Sequence, residues 1–221
     1  ERGVGKTSLA NIVASFHQSS DAEPLKTSCA EDTTFKTLIS DIVIKALNRS
    51  KFKEVSTKQT KGISLPLLSK ISANLSKEIS VKEKVILDQI DTVSDALTIL
   101  QEISELHSEN PVIVVDELDR MNKDNIRPLS DIIKGISDQR INIKFIFTAV
   151  AQTYELIFGS HESTRRQLEI IELPVLSWDS RMELIEKTLN NFDINIDRTT
   201  TIRISAISDG FPHYIHFILK Q

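Results

Sequence analysis

The chain has 221 residues, 40% hydrophobic and 26% charged, with a formal net charge of −4 and one cysteine, Cys29. That is enough chain for a core domain and a small accessory one, while a lone cysteine excludes an internal disulfide and a cysteine metal cluster and points to a reducing, cytoplasmic setting. The longest apolar runs, such as Val112 to Val115 and Phe145 to Phe147, are strand-sized, which leaves no candidate membrane span.

The first element is a glycine-rich turn that runs into a helix. Glu1-Arg2-Gly3-Val4-Gly5-Lys6-Thr7-Ser8 has the Gly-Lys-Thr register of a phosphate-binding loop whose first glycine is expected one residue upstream, so the sequence reads as a fragment opening inside the motif. In such a loop the backbone N–H groups of Gly3, Val4, Gly5, Lys6, Thr7 and Ser8 curl around a polyphosphate, and a Cβ at either glycine would block that approach. Lys6 supplies a point charge for the β- and γ-phosphates, Thr7 a hydroxyl for Mg²⁺, and the helix turns its positive end toward the anion. Leu9, Ile12, Val13 and Phe16 recur at helical spacing and define the expected apolar face of that helix.

Leu25 to Cys29 is a strand candidate, with the thiol packed at its end, and Phe35, Leu38, Ile39, Ile42, Val43 and Ala46 form the face of a following helix. From Lys45 to Lys84 ten Lys or Arg stand against three acids, a local charge of +7 that leaves −11 for the rest. This segment is rich in Ser and Thr and reads as an insertion over about residues 50–84, with a short amphipathic helix marked by Leu68, Ile71, Leu75 and Ile79. It is either a solvated insertion or a contact for nucleic acid or an acidic partner; without aromatic interleaving beyond Phe52 the segment does not support nucleic-acid binding.

Ile90 to Leu106 reads as a helix. Val112 to Val115 is an unbroken β-branched run, the pattern of a strand buried on both faces, and it ends in Asp116-Glu117. Asn125 to Ile136 is helical, Ile143 to Val150 is a second buried strand, and Leu168 to Leu173 is a last short strand closed by Pro174. After Pro174 the pattern becomes helical, with Met182, Leu184, Ile185 and Leu189 on one segment and Ile202, Ile204 and Ile207 on the next. Strand and helix alternating in this way predict an α/β fold, a doubly wound parallel sheet with its ligand at the carboxyl ends of the strands.

Two carboxylates at the end of a central strand suit phosphate chemistry. Asp116 is placed to hold Mg²⁺, directly or through its water, and Glu117 to orient and activate an attacking water. Four apolar residues before Asp-Glu are a weak pattern alone; behind a phosphate loop at this distance the pattern is specific.

The phosphate loop, the apolar run into Asp116-Glu117-Leu118-Asp119-Arg120, a strand ending at Thr148 and Gly210-Phe211-Pro212-His213 together resemble an AAA+ P-loop ATPase. The likeness extends from Gly3 to about Leu219 and is greatest to bacterial ATPases of the origin-recognition-like clade. It implies an AAA+ core over residues 1–175, lacking its first strand, and a small, incomplete α-helical lid over 176–221. It also implies that Thr148 senses the γ-phosphate, although threonine at a strand end is also an ordinary β-former. His161-x-Ser163-x-x-Arg166 resembles a recurrent block of these ATPases. There Arg166, or else Arg165, would reach the γ-phosphate of a neighbouring subunit; the competing reading is a structural ion pair or a solvated arginine. His161 reads as a local hydrogen-bonding residue.

The Gly210-x-Pro212 turn is similar to that of STAND-type switch ATPases. It ends one lid helix and starts the next, giving His213 either a phosphate contact, where many AAA+ relatives carry arginine, or a packing role. What the resemblance implies is Mg²⁺-dependent ATP binding and hydrolysis that drives or gates a conformational change in a larger multidomain protein, with homo-oligomers or fused effector domains as partners. The alternatives are a slow or non-hydrolysing STAND-type switch and an initiator-like DNA-binding ATPase.

Overall fold

The computed structural model describes residues 2–17, 24–47, 89–106, 111–150, 153 and 165–220. The basic segment, with the short amphipathic helix expected at Leu68 to Ile79, and His161 with Ser163 lie outside these residues. The chain divides into two units, Ala10–Glu169 on one hand and Glu1–Leu9 with Ile170–Gln221 on the other.

In the first unit three strands, β1 (Leu25–Ser28), β2 (Val112–Asp116) and β3 (Lys144–Phe147), form a parallel sheet in that order. Leu25 pairs with Ile113 and Ser28 with Asp116, while Ile113 faces Phe145 and Val115 faces Phe147. Helices alternate with the strands: α1 (Lys6–His17), which belongs to this unit from Ala10 on, α2 (Phe35–Leu47), α3 (Val93–Leu106) and α4 (Lys123–Asp138).

Each helix start has a local cause. Thr34 and Thr37 exchange side chain to backbone hydrogen bonds at 2.8 and 3.1 Å ahead of α2, and Thr92 and Asp95 do the same ahead of α3 at 2.8 and 3.2 Å. That reciprocal cap starts α3 at Val93 and leaves Ile90, buried, in front of it. Asn122 caps α4 by accepting the Asp124 N–H, and three hydrogen bonds onto one exposed carboxylate hold Asp95 below the usual aspartate range.

The pleat of β2 explains why all four of its apolar residues are β-branched. Val112 and Val114 turn to one face, where they meet Ala10 and Ala14 of α1. Ile113 and Val115 turn to the other and join the main core built by α2, α3 and α4. Helices therefore cover both faces, as a doubly wound sheet requires. The α2 face read from the sequence is buried at all six positions, each large side chain contributing on the order of 1.5–3 kcal/mol of burial free energy.

Three expectations are corrected. In α1 it is Ala10 and Ala14 that pack, while Ile12, Val13 and Phe16 are exposed and Leu9 is half-buried; small side chains let a helix lie close on a strand, and hydrophobicity alone points to the larger ones. Residues 168–173 form no strand, since β-branched residues make one only with a ladder partner, and Ile170 and Ile171 stand 49% and 67% exposed. The strand expected over Ile143 to Val150 is confined to Lys144–Phe147 and is half-buried, because β3 is paired on one edge only among the described residues.

In the second unit α5 (Trp178–Asn190), α6 (Arg198–Ile207) and α7 (Pro212–Leu219) bury Ile185, Leu189, Ile204 and Ile215 against one another. Ser177 caps α5 and Asp197 caps α6, each accepting an N–H three residues on. Ile204 is the residue of α6 that enters this core; Ile202 and Ile207, expected beside it, are exposed because a short helix in a three-helix cluster presents one narrow stripe.

Candidate functional site

The glycine-rich loop and the end of β2 belong to different units and are described in turn. Gly3 and Gly5 have φ of 83° and 96°, the left-handed region in which a side chain is strained. Between them Val4 is buried, and the Leu9 N–H donates to the Gly5 carbonyl at 2.9 Å, the first helical hydrogen bond of α1. The N–H groups of a helix's first turn are what its N-terminus offers an anion. Lys6 is half-buried, and Thr7 and Ser8 are exposed.

In the same unit the sequence from Gly210 to His213 folds as a left-handed turn, Gly210 at φ 83°, followed by Pro212 as the first residue of α7. His213, in the first turn of α7, donates its backbone N–H to the Gly3 carbonyl at 3.4 Å. A Cβ on Gly3 would stand 3.5 Å from His213 Cβ and 3.7 Å from Phe211 Cδ1. The structure thus brings His213 beside the loop; Phe211, which sequence reasoning missed, is there too.

At the carboxyl end of β2 three residues form one network. The Thr148 hydroxyl donates to Asp116 Oδ1 in a short hydrogen bond and accepts the Glu117 N–H at 3.1 Å. Thr148 also donates its N–H to Val115 O at 3.0 Å and receives the Leu118 N–H on its carbonyl at 2.9 Å. Buried just past the end of β3, it bonds both sides of the Asp-Glu pair. Strand alternation puts the Asp116 side chain on the face that carries Val112 and Val114.

Glu117 has φ 54°, a left-handed conformation costly for a residue with a Cβ, at the entry to the one-turn 3₁₀ helix Leu118–Arg120. Its carboxylate meets Arg120 Nη1 at 3.1 Å, with both side chains roughly half exposed. This partner was overlooked; the signal for it lay in the three-residue spacing of glutamate and arginine.

Cys29 follows β1 and donates its N–H to the Asp116 carbonyl at 2.9 Å. Its thiol is buried, as a packing role at a strand end requires, and its pKa is pushed up to about 12, first by burial and then by the negative charges of Asp116, Asp119, Glu117 and Asp41. Thiolate chemistry at neutral pH is excluded there.

Arg165 and Arg166 are both exposed, Arg166 in a turn. Among the described residues no group of three His, Cys, Asp or Glu stands together as a protein-only metal site. No helix of the described residues is long and apolar enough to cross a membrane.

A family model described as an AAA domain matches residues 1–157. The chain belongs to the AAA domain family, whose members are nucleotide-binding ATPases of the P-loop type, and its parallel sheet with flanking helices is the corresponding α/β fold. Neither a curated protein nor a solved structure matches the chain.

Proposed function

We propose that this chain is the ATPase core and helical lid, residues 1–175 and 176–221, of a larger protein that hydrolyses Mg-ATP to drive or gate a conformational change. The observation that carries the reading is the Asp116, Thr148 and Glu117 network at the end of a central parallel strand in an AAA domain.

In this reading Gly3 to Ser8 bind the phosphates, Lys6 neutralises charge on the β- and γ-phosphates, and His213 offers its imidazole to them from α7. Thr7 and Asp116 are hard oxygen donors of the kind Mg²⁺ takes while keeping water and phosphate oxygens as its other ligands. The ion, when bound, supplies positive charge to the phosphates. Thr148 holds one oxygen of Asp116 and, through the Glu117 N–H, fixes where the Glu117 backbone begins. Glu117 accepts the proton of the water that attacks in line, and Arg166 of a neighbouring subunit stabilises the charge that develops. Orientation by Thr148 is supported by its bonds, and a γ-phosphate-sensing role is compatible with it.

Isothermal titration and phosphate release with the full-length protein test this. Lys6→Ala should abolish Mg-ATP binding, whereas Glu117→Gln should bind normally and hydrolyse ~10²-fold or more slowly. Equal ATP affinity for Lys6→Ala and wild type would overturn the phosphate-loop assignment. The second reading, a slow STAND-type switch with a Gly-x-Pro lid turn, is favoured by the Glu117 to Arg120 pair, which engages the carboxylate that hydrolysis needs. Hydrolysis at the wild-type rate by Glu117→Gln would transfer support to that switch.

A further inference from the structure

The turn that reaches the phosphate loop is braced by a side chain outside it. Arg181 stands in the first turn of α5, half-buried. Its Nε donates to the Leu176 carbonyl at 2.9 Å and its Nη1 to the Ser205 carbonyl at 3.4 Å. Ser205 lies in the last turn of α6, where carbonyls lack helical partners and a cation is favourably placed. The Leu176 N–H in turn donates to the Gly210 carbonyl at 2.8 Å. Arg181 also covers Gly210 itself: a Cβ built there would stand 2.9 Å from Arg181 Nη2 and 2.8 Å from the Leu176 carbonyl oxygen. One guanidinium therefore links the segment before α5, the end of α6 and the turn that starts α7.

That turn is the element that lies against Gly3. Phe211 and His213 are the two residues nearest a Cβ on Gly3, and the His213 N–H bonds the Gly3 carbonyl.

We propose that Arg181 is a positioning residue for nucleotide binding, acting through the Gly210–His213 turn on the phosphate loop. The inference rests on the reading of Gly3 to Ser8 as that loop. Arg181 does not touch the nucleotide in this account; it fixes the distance of His213 and Phe211 from Gly3, and so the shape the loop holds before phosphate arrives.

Titration of the full-length protein with a fluorescent N-methylanthraniloyl ATP and Mg²⁺ tests it. Arg181→Met, which keeps an unbranched stem and removes the donors, should bind about tenfold more weakly, with the KM for ATP rising by a similar factor and kcat within about twofold of wild type. Arg181→Lys retains the charge and a donor but loses the two-pronged reach, and should fall between, about threefold weaker. His213→Ala should also weaken binding, and the Arg181→Met/His213→Ala pair should be no weaker than the worse single variant, because both act through one turn. Wild-type affinity in Arg181→Met, or effects of the two changes that multiply, would overturn the proposal. Should Arg181→Met fail to fold, Arg181→Lys decides, and wild-type affinity there overturns it. Lys6→Ala, run in parallel, separates the two levels. If it binds like wild type, the phosphate-loop reading fails and this proposal falls with it; if it loses binding while Arg181→Met keeps it, the proposal fails alone.

Discussion

Cys29 shows how the acidic strand end acts on a neighbour. Burial and the carboxylates around it raise the thiol from 9.0 to about 12 in the folded protein. An unfolded chain releases that proton near pH 9, so between 9 and about 12 the folded state binds more protons than the unfolded one. Stability contributed by this group is intact below pH 9 and declines by about 1.4 kcal/mol per pH unit above it. Urea denaturation from pH 8 to 10.5 should show a steeper loss for wild type than for Cys29→Ala, which has no thiol to titrate. Parallel curves would mean that the thiol titrates normally. Thiol reagents at pH 8 should label Cys29 in urea and leave the native protein unmodified.

Between helices, close approach matters more than propensity. Gly135 of α4 lies under Leu97 of α3, and a Cβ there would stand 2.3 Å from Leu97 Cδ1 and 3.1 Å from its Cγ. Alanine at 135 gains about 1 kcal/mol of helix propensity but drives into a buried leucine, an overpacking cost of about 1–3 kcal/mol. Gly135→Ala should therefore be net destabilising, and Gly135→Ala/Leu97→Ala should be less destabilised than the sum of its parts by chemical denaturation. A Gly135→Ala protein more stable than wild type would refute this.

The same distinction explains what the sequence disclosed. Helices such as α2, where large apolar residues meet a core at helical spacing, were legible to the residue, as were β2, the Asp-Glu pair at its end, and the Gly210-x-Pro212 turn. The packing of α1 through Ala10 and Ala14 was not, because a contact made by small residues leaves no peak in hydrophobicity. Residues 168–173 carry strand composition without a strand, since pairing is a property of the neighbour and not of the segment. The bond of Arg181 to Ser205 and the approach of Phe211 to Gly3 join distant residues of types common on surfaces, and no spacing announces a tertiary contact.

For the whole molecule the open question is what Arg166 serves. It is exposed, as a residue destined for another subunit would be. If it acts in trans, activity per subunit should rise steeply with protein concentration, because the finger exists only in an oligomer. Mixing inactive Arg166→Ala and Glu117→Gln subunits should then restore part of the activity, since some interfaces pair an intact glutamate with an intact arginine. A concentration-independent rate, with Arg166→Ala still active, would mark a structural arginine and a monomeric switch.

The two-sided burial of β2 has a consequence for reading mutant phenotypes. Val112 to Val115 each pack against one face or the other, so a polar or shortened side chain there removes folded protein and activity together, and the loss says nothing about chemistry. One step further the strand ends, and at Glu117, roughly half exposed, abundance and turnover should come apart if it is the base proposed above. The boundary between a missing protein and a present but idle one would then fall within two residues of a single strand.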